Sequence, residues 1–211
     1  MGDIVARRVS ELGLFPLPLV LLPTERVPLH IFEERYRELI GECLDSAGEF
    51  GLVFADDDGV RDVGTRARVT EVLARMADGR MDILVEGGDR FRLLEITAGR
   101  SFHTGEVSPV DDEKDPAGPE SIKRALGHFD RLRELTGSDV DVPEADAVQL
   151  SFVLAGRVEL PPDDKLQLLR DVSERSRMDR VCDLIEHAIA TARRVRVAAE
   201  RAATNGRVHT E

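Results

Sequence analysis

The chain has 211 residues, 42% of them hydrophobic, with a formal net charge of −12 and a pI near 5.0. That length supports one generous core or two modest ones, and the negative field opposes nucleic acid and anionic membrane surfaces as partners. The longest apolar stretch, around Leu17 to Leu22, is broken by Pro18 and Pro23 and is too short to span a bilayer. Met1 to Leu12 is polar and charged, without the order of regions that marks a secretory leader. Cys43 and Cys182 stand far apart with no C-x-x-C neighbour, so neither a disulfide framework nor a zinc site is indicated. The expectation is a soluble, cytoplasmic protein with two reduced thiols.

In chain order, the first half reads as strands. Gly51–Phe54, Ala67–Met76, Met81–Glu86, Phe91–Ile96 and Phe102–Val107 are short apolar runs punctuated by glycines. Asp78-Gly79 falls between two of them, where residues that tolerate positive φ allow a two-residue hairpin turn, and Asp58-Gly59 follows another. Met81, Ile83 and Val85 alternate with polar residues, giving one inner and one wet face, although Leu84 blurs the pattern. One helix interrupts the strands: Ile31, Phe32, Tyr36, Leu39, Ile40 and Cys43 or Leu44 recur at helical spacing, with Glu33, Arg37, Glu38 and Glu42 between them. Residues 1–110 therefore read as a curled antiparallel sheet carrying one helix.

The acidic, proline-containing segment Asp111–Pro119 reads as a solvated linker, after which the period changes to about 3.6. Ile122, Ala125, Leu126, Phe129, Leu132 and Leu135 form one stripe, which Gly137 ends. A second helix is expected from Pro143 to Gly156, almost wholly apolar and hence buried. Leu160-Pro-Pro162 restarts the chain into a helical turn through Leu166, Leu168 and Leu169. Ser173 is a good N-cap for a long amphipathic helix with Met178, Val181, Cys182, Ile185, Ala188, Ile189, Ala192 and Val195 on one stripe. Its far end is long enough to outrun the core. The fold class is thus α+β, with residues 119–202 forming an α-helical bundle that ends in a long helix and residues 203–211 a tail.

Chemistry-bearing motifs are scarce. There is no G-x-x-x-x-G-K-[ST] loop to hold nucleotide phosphates and no G-x-S-x-G elbow. Lys114, Lys123 and Lys165 are the only lysines and read as linker or helix-surface residues, where desolvation cannot make one a general base. His30 with Glu33 and Glu34 lacks the second histidine of a zinc site. Asp56-Asp-Asp58 with Asp62 lacks the ligand spacing of a calcium loop and reads as a solvated turn, and Gly87-Gly88 reads as a sheet turn or bulge. No catalytic residue, metal or cofactor is expected.

Several segments taken together carry a resemblance. Leu12–Pro23, Val27-Pro-Leu-His-Ile-Phe-Glu-Glu-Arg-Tyr36, Phe50–Phe54, Val63–Thr65 and Asp78–Phe91 are similar, in order and spacing, to the Lon protease N-terminal domain family. The helical half, with Leu160-Pro-Pro162 before its last helices, is similar too, so the resemblance covers about residues 12–200. It implies a β-rich, PUA-like subdomain followed by a helical bundle. Two departures stand out: Pro23-Thr24 and Glu25-Arg26 stand where the family commonly has Pro-Gly before the Pro-Leu-His-Ile-Phe segment, and Glu34 stands where a proline is common. A Lon protease continues into ATPase and peptidase domains where this sequence stops, so their activities are not carried over.

What the resemblance implies for function is capture of unfolded or tagged polypeptides, which needs exposed apolar surface or an open sheet edge that an extended peptide can join. Candidate peptide-binding residues are Leu29, Ile31, Phe32, Tyr36, Phe54 and Met76; each also fits a core position. Glu33, Arg35 and Arg90 read as an internal ion-pair framework. The partners expected are polypeptide segments or unfolded proteins, together with a protease or chaperone, in an adaptor or substrate-capture role in protein quality control. The alternative is a structural protein that assembles as a homodimer through its last helix.

Overall fold

The structure, a computed structural model, describes the backbone of residues 9–205 and the side chains of residues 9–199. The readings made on the first eight residues, and on the tail beyond Asn205, lie outside the described residues. Contacts divide the chain into two units. One comprises the described residues up to Glu113 together with Glu159–Val172; the other comprises Lys114–Val158 and the described chain from Ser173 onward.

The first unit holds strands β1 (Ser10–Leu17), β2 (Arg26–Ile31), β3 (Phe50–Asp56), β4 (Gly59–Arg75), β5 (Met81–Thr97) and β6 (Thr104–Pro109), with helix α1 (Glu34–Ser46) between β2 and β3. The strand order is β2-β5-β4-β3-β1-β6, and β6 also pairs with β5, so five strands close on themselves while β2 adds to the first half of β5. Closure leaves few edges to protect. The sheet is mixed rather than purely antiparallel, because β1 and β3 run parallel. The cause is α1: the β2–α1 connection lies between β1 and β3 and lets the chain re-enter in the same direction. β1 and most of β2 are strands that the sequence reading left unassigned, because their prolines hid the period-two pattern; Ile31 and Phe32, read as the start of the helix, instead close β2 and follow it, and α1 begins at Glu34.

Two apolar clusters fill this unit. Tyr36, Leu39, Ile40 and Cys43 of α1 pack with Phe15, Ile31, Phe50, Met81, Ile83 and Phe102, while Leu12, Leu14, Val53, Phe91 and Val107 form a second cluster. Full burial of each such side chain contributes roughly 1.5–3 kcal/mol. Gly64, opposite Phe91 in the register, leaves room for that ring: a Cβ there would stand 2.5 Å from Phe91 Cζ. Gly87 and Gly88 lie inside β5, where the register with β4 shifts between Thr65 and Ala67, which bears out the bulge reading. Helix α4 (Pro162–Arg170) belongs to this unit by its contacts, whereas the sequence reading set it among the bundle helices. Buried Arg90 explains the attachment: it donates to the Leu169 and Asp171 carbonyls at 2.7 and 2.8 Å and pairs with Asp112. Lys165, read as a surface lysine, is also buried and meets Glu25 at 2.5 Å.

The second unit contains α2 (Pro119–Thr136), α3 (Leu150–Ala155) and α5 (Glu174–Asn205). Gly137, at φ 67°, caps α2, and the Ser173 hydroxyl accepts from Ser176 N–H at 3.1 Å to cap α5, as the sequence indicates. Helix α3 begins seven residues later than expected from Pro143, because Gln149 adopts φ 53° and breaks the run. Glu174 caps α3 instead, accepting from Ser151 N–H at 3.0 Å and Ser151 Oγ at 2.7 Å. Fully buried Arg177 donates to the same carboxylate at 2.7 Å and lies over the Phe152 ring. The α5 stripe is buried from Met178 to Ile189; Val195 beyond it is 64% exposed, so the helix does outrun its core.

Candidate functional site

The resemblance singled out the segment around β2 and α1, and the local chemistry there is well defined. Val27, Leu29 and Ile31 point to the core side of β2, while Arg26, Pro28 and His30 face outward. On the outer face, Arg26 Nε donates to Glu86 at 2.6 Å and Arg68 donates to the same carboxylate. These bonds, that from Arg26 foremost, hold the Glu86 carboxyl below its usual pKa although partial burial acts the other way. His30 Nδ1 lies 2.6 Å from Asp82, and its ring stacks on Phe32 at 5.9 Å between centroids.

The hairpin joining β4 to β5 ends beside this segment, since Ile31 is in register with Met81. Met76 N–H donates to the Arg80 carbonyl, leaving three residues at the tip rather than the two expected, with Gly79 at φ 87°. Arg37 of α1 reaches across and donates to the Asp78 carbonyl at 2.7 Å. Below it, Tyr36 stacks on Phe15 at 4.0 Å and carries the Arg35 guanidinium over its ring at 4.6 Å. Burial raises the Tyr36 pKa, opposed by Arg35.

The six candidate residues fall into two groups. Ile31 and Tyr36 are core residues of this end of the sheet, and Phe54 is buried on β3, in register with Leu17 and beneath Arg61. Leu29 and Met76 are half-buried, and Phe32 is 60% exposed. Leu73, which the sequence reading did not single out, adds a second exposed apolar side chain near the hairpin tip. It sits where the β4 register slips between Val72 and Ala74, so strand parity gave no sign of it. Arg37 was also missed as a clamp; nothing in sequence spacing connects it to residue 78. Glu33 and Arg35 pair with each other at 2.8 Å, and Arg90 serves α4 instead, so the three do not form one framework.

Both sheet edges near this end are poor templates for an added strand. β2 carries Pro28, which has no N–H to offer, and β4 from Arg68 to Arg75 pairs, among the described residues, only with β5 and is interrupted by two register shifts. Apolar side-chain contact is therefore the stronger means of binding here.

A cleft of about 190 Å³ lies elsewhere in the same unit, lined by Glu11, Leu12, Leu39, Glu42, Cys43 and Phe102 among others. Burial, and then the Glu42 and Glu49 carboxylates, push the Cys43 thiol up to about 11, and burial also raises Cys182. Both are therefore protonated at neutral pH and poor nucleophiles. Among the described residues no group of three or more His, Cys, Asp or Glu converges as a metal set, and no helix is long and apolar enough to cross a membrane. Asp56 is engaged by Arg61 at 2.7 Å and by the Asp58 N–H, which is the chemistry of a turn.

The family model for the ATP-dependent protease La (LON) substrate-binding domain matches residues 11–187. The chain belongs to this Lon substrate-binding domain family. Among curated relatives, a Lon protease of Paraburkholderia phytofirmans is 24% identical over 83% of this chain, and one of Anaeromyxobacter dehalogenans is 26% identical over 80%. The chain spans about a quarter of the length of these relatives, 25% and 22% respectively. The fold is that of solved Lon N-terminal domains. The Lon N-terminal domain protein from Xanthomonas campestris is 27% identical with a TM-score of 0.65, covering 82% of this chain and 96% of that one. The N-terminal domain of Mycobacterium avium complex Lon protease has the same TM-score, 0.65, at 20% identity, covering 84% and 98%, a likeness of fold alone.

Proposed function

We propose that this member of the Lon substrate-binding domain family is a non-catalytic polypeptide-binding module, acting as an adaptor or substrate-capture protein in protein quality control. The observation that carries the reading is Phe32. It is a large aromatic side chain, 60% exposed, on a segment fixed by β2 pairing and by the first turn of α1. Aromatic side chains are enriched among binding hot spots, and one that is exposed within a contiguous apolar patch marks an interaction surface. Leu29, Met76 and Leu73 extend the apolar surface at the same end, and His30 and Asp82 supply a polar rim. Capture here relies on side-chain contact rather than strand addition, needs no ATP, and delivers the bound segment to a separate protease or chaperone. Work in the cytoplasm suits the two reduced thiols.

The test is a pull-down from cell extract with the wild-type chain and a Phe32→Ser variant, read by mass spectrometry. The proposal expects many unrelated aggregation-prone proteins together with a protease or chaperone subunit, all depleted in the variant. Equal recovery by both proteins, or recovery of the chain alone, contradicts it.

A further inference from the structure

The C-terminal end of α1 opens on the cleft of the first unit, and the charges around that cleft do not balance. Three carboxylates line it, those of Glu11, Glu42 and Glu49, against the single guanidinium of Arg100. Arg100 is already committed: it pairs with Glu42 and lies over the Phe102 ring, 4.5 Å from the centroid. Glu11 accepts from the Thr97 hydroxyl at 3.2 Å and, among the described residues, meets no cationic group. Glu49 faces Arg66 at 3.8 Å, too far for a hydrogen bond. The helix strengthens the negative field. Cys43, Ser46 and Gly48 line the cleft, and the last turn of α1 carries no basic residue to offset the negative end of its dipole.

Beneath this acidic rim the floor is apolar and preformed, since Leu39, Cys43 and Phe102 are all buried. The field of the rim reaches that floor: after burial itself, the Glu42 and Glu49 carboxylates are what raise the Cys43 thiol. Size narrows the choice of ligand. The cleft of about 190 Å³ has room for about six waters at ~30 Å³ each and falls well below the roughly 300–1,000 Å³ of sites for drug-sized ligands. A nucleotide is too large for it, whereas an unbranched chain of about six heavy atoms fills the same space.

We propose that this cleft binds a short aliphatic dication, a free alkyl diamine, with its methylenes on the Leu39 and Phe102 floor and its ammonium groups at Glu11 and Glu49. The two positive charges match the excess of three carboxylates over one guanidinium, and the stem supplies the apolar contact that a bare metal ion lacks. Neither Phe32 nor any other residue of the proposed polypeptide-binding surface lines the cleft, so that proposal and this one stand or fall separately. The attraction involves partly exposed charges and weakens as salt shortens the screening length.

Backbone amide NMR shifts of the full chain during titration with 1,4-diaminobutane, at low and high salt, test this. Saturable shifts are expected at residues 11–13, 39–49 and 100–104, half-complete at about 1 mM or below, which is within what about six heavy atoms supply. High salt should weaken binding about fivefold or more. Glu11→Gln/Glu49→Gln should weaken it about tenfold or more with an unchanged circular dichroism spectrum, while Asp139→Asn/Asp141→Asn, which removes the same charge from the other unit, should leave it as it is. 1,4-Butanediol, with the stem but no charge, and Mg²⁺, with the charge but no stem, should not produce these shifts. Absence of saturation, equal weakening in both variants, or equal shifts with Mg²⁺ overturns the proposal. So does tighter binding of a lysine-containing peptide than of the diamine, which would assign the cleft to a polypeptide side chain instead.

Discussion

The Arg37 guanidinium donates to the Asp78 carbonyl at 2.7 Å, a bond from helix α1 to the tip of the β4–β5 hairpin across 41 residues of chain. It joins the two elements that flank Phe32, and Gly79 makes it possible: a Cβ at that position would lie 2.6 Å from Arg37 Nη1, and its φ of 87° is costly for other residues. Arg37→Met is expected to lower stability by about 1 kcal/mol, the usual net value of one hydrogen bond. Faster amide exchange should be confined to Met76–Arg80. Uniform acceleration across the sheet, or none, would show that the bond does not hold the tip.

Phe32 and Tyr36 are four residues apart yet should behave oppositely. Phe32→Ser removes an exposed side chain, so stability should change by less than about 0.5 kcal/mol while affinity for a labelled, reduced and carboxymethylated lactalbumin falls at least fivefold. Tyr36→Ala empties a buried, stacked position and should cost about 3–5 kcal/mol. Chemical denaturation and fluorescence anisotropy on both variants decide the matter.

Lys165 and Glu25 form a nearly buried ion pair, with side chains 11% and 9% exposed. Lys165→Met leaves the Glu25 charge without its partner and should cost about 3 kcal/mol. Replacing both, with Glu25→Leu, should recover most of that loss. A deficit of about 1 kcal/mol should remain, because Glu25 also accepts from the Leu22 N–H at 2.9 Å. Urea melts of the single and double variants measure this; a double variant less stable than the single one contradicts it.

Stability should fall at both ends of the pH range for identifiable reasons. Glu86, lowered chiefly by Arg26, contributes stability above the ordinary carboxylate pKa that is lost as pH falls through its depressed value. Cys43 works in the opposite sense: its contribution is complete below the ordinary thiol value near 9 and is lost as pH rises to about 11. Cys43→Ala should therefore flatten the part of the alkaline decline between these values, as read from denaturation at successive pH. An alkaline limb identical to wild type would remove Cys43 from the account.

Much of the architecture was legible because local signals agreed with the fold. The α2 stripe ending at Gly137, the Ser173 cap and the Gly87-Gly88 bulge each follow from residue chemistry that acts over a few positions. What escaped had long-range or parity-breaking causes. The parallel pairing of β1 with β3 depends on where α1 crosses, and α4 joins the sheet unit because of Arg90, some eighty residues away. Pro143 suggested a helix start that Gln149, in a left-handed conformation, defers to Leu150. At the candidate site, periodicity identified apolar residues but not which were accessible. Ile31 and Phe32 are neighbours, one 1% and the other 60% exposed: Ile31 takes the last core-facing position of β2, and Phe32 follows it on the outer side, where a helical reading of both residues gave no sign of the difference.

The central claim, that unfolded polypeptide docks at the Phe32 end of the sheet, is tested most directly by mapping backbone amide NMR shifts of the full chain during titration with the lactalbumin probe. The prediction is saturable perturbation concentrated at residues 27–32 and 73–80. Perturbation confined to the helices of the second unit, or none at a probe excess that saturates anisotropy, would contradict it.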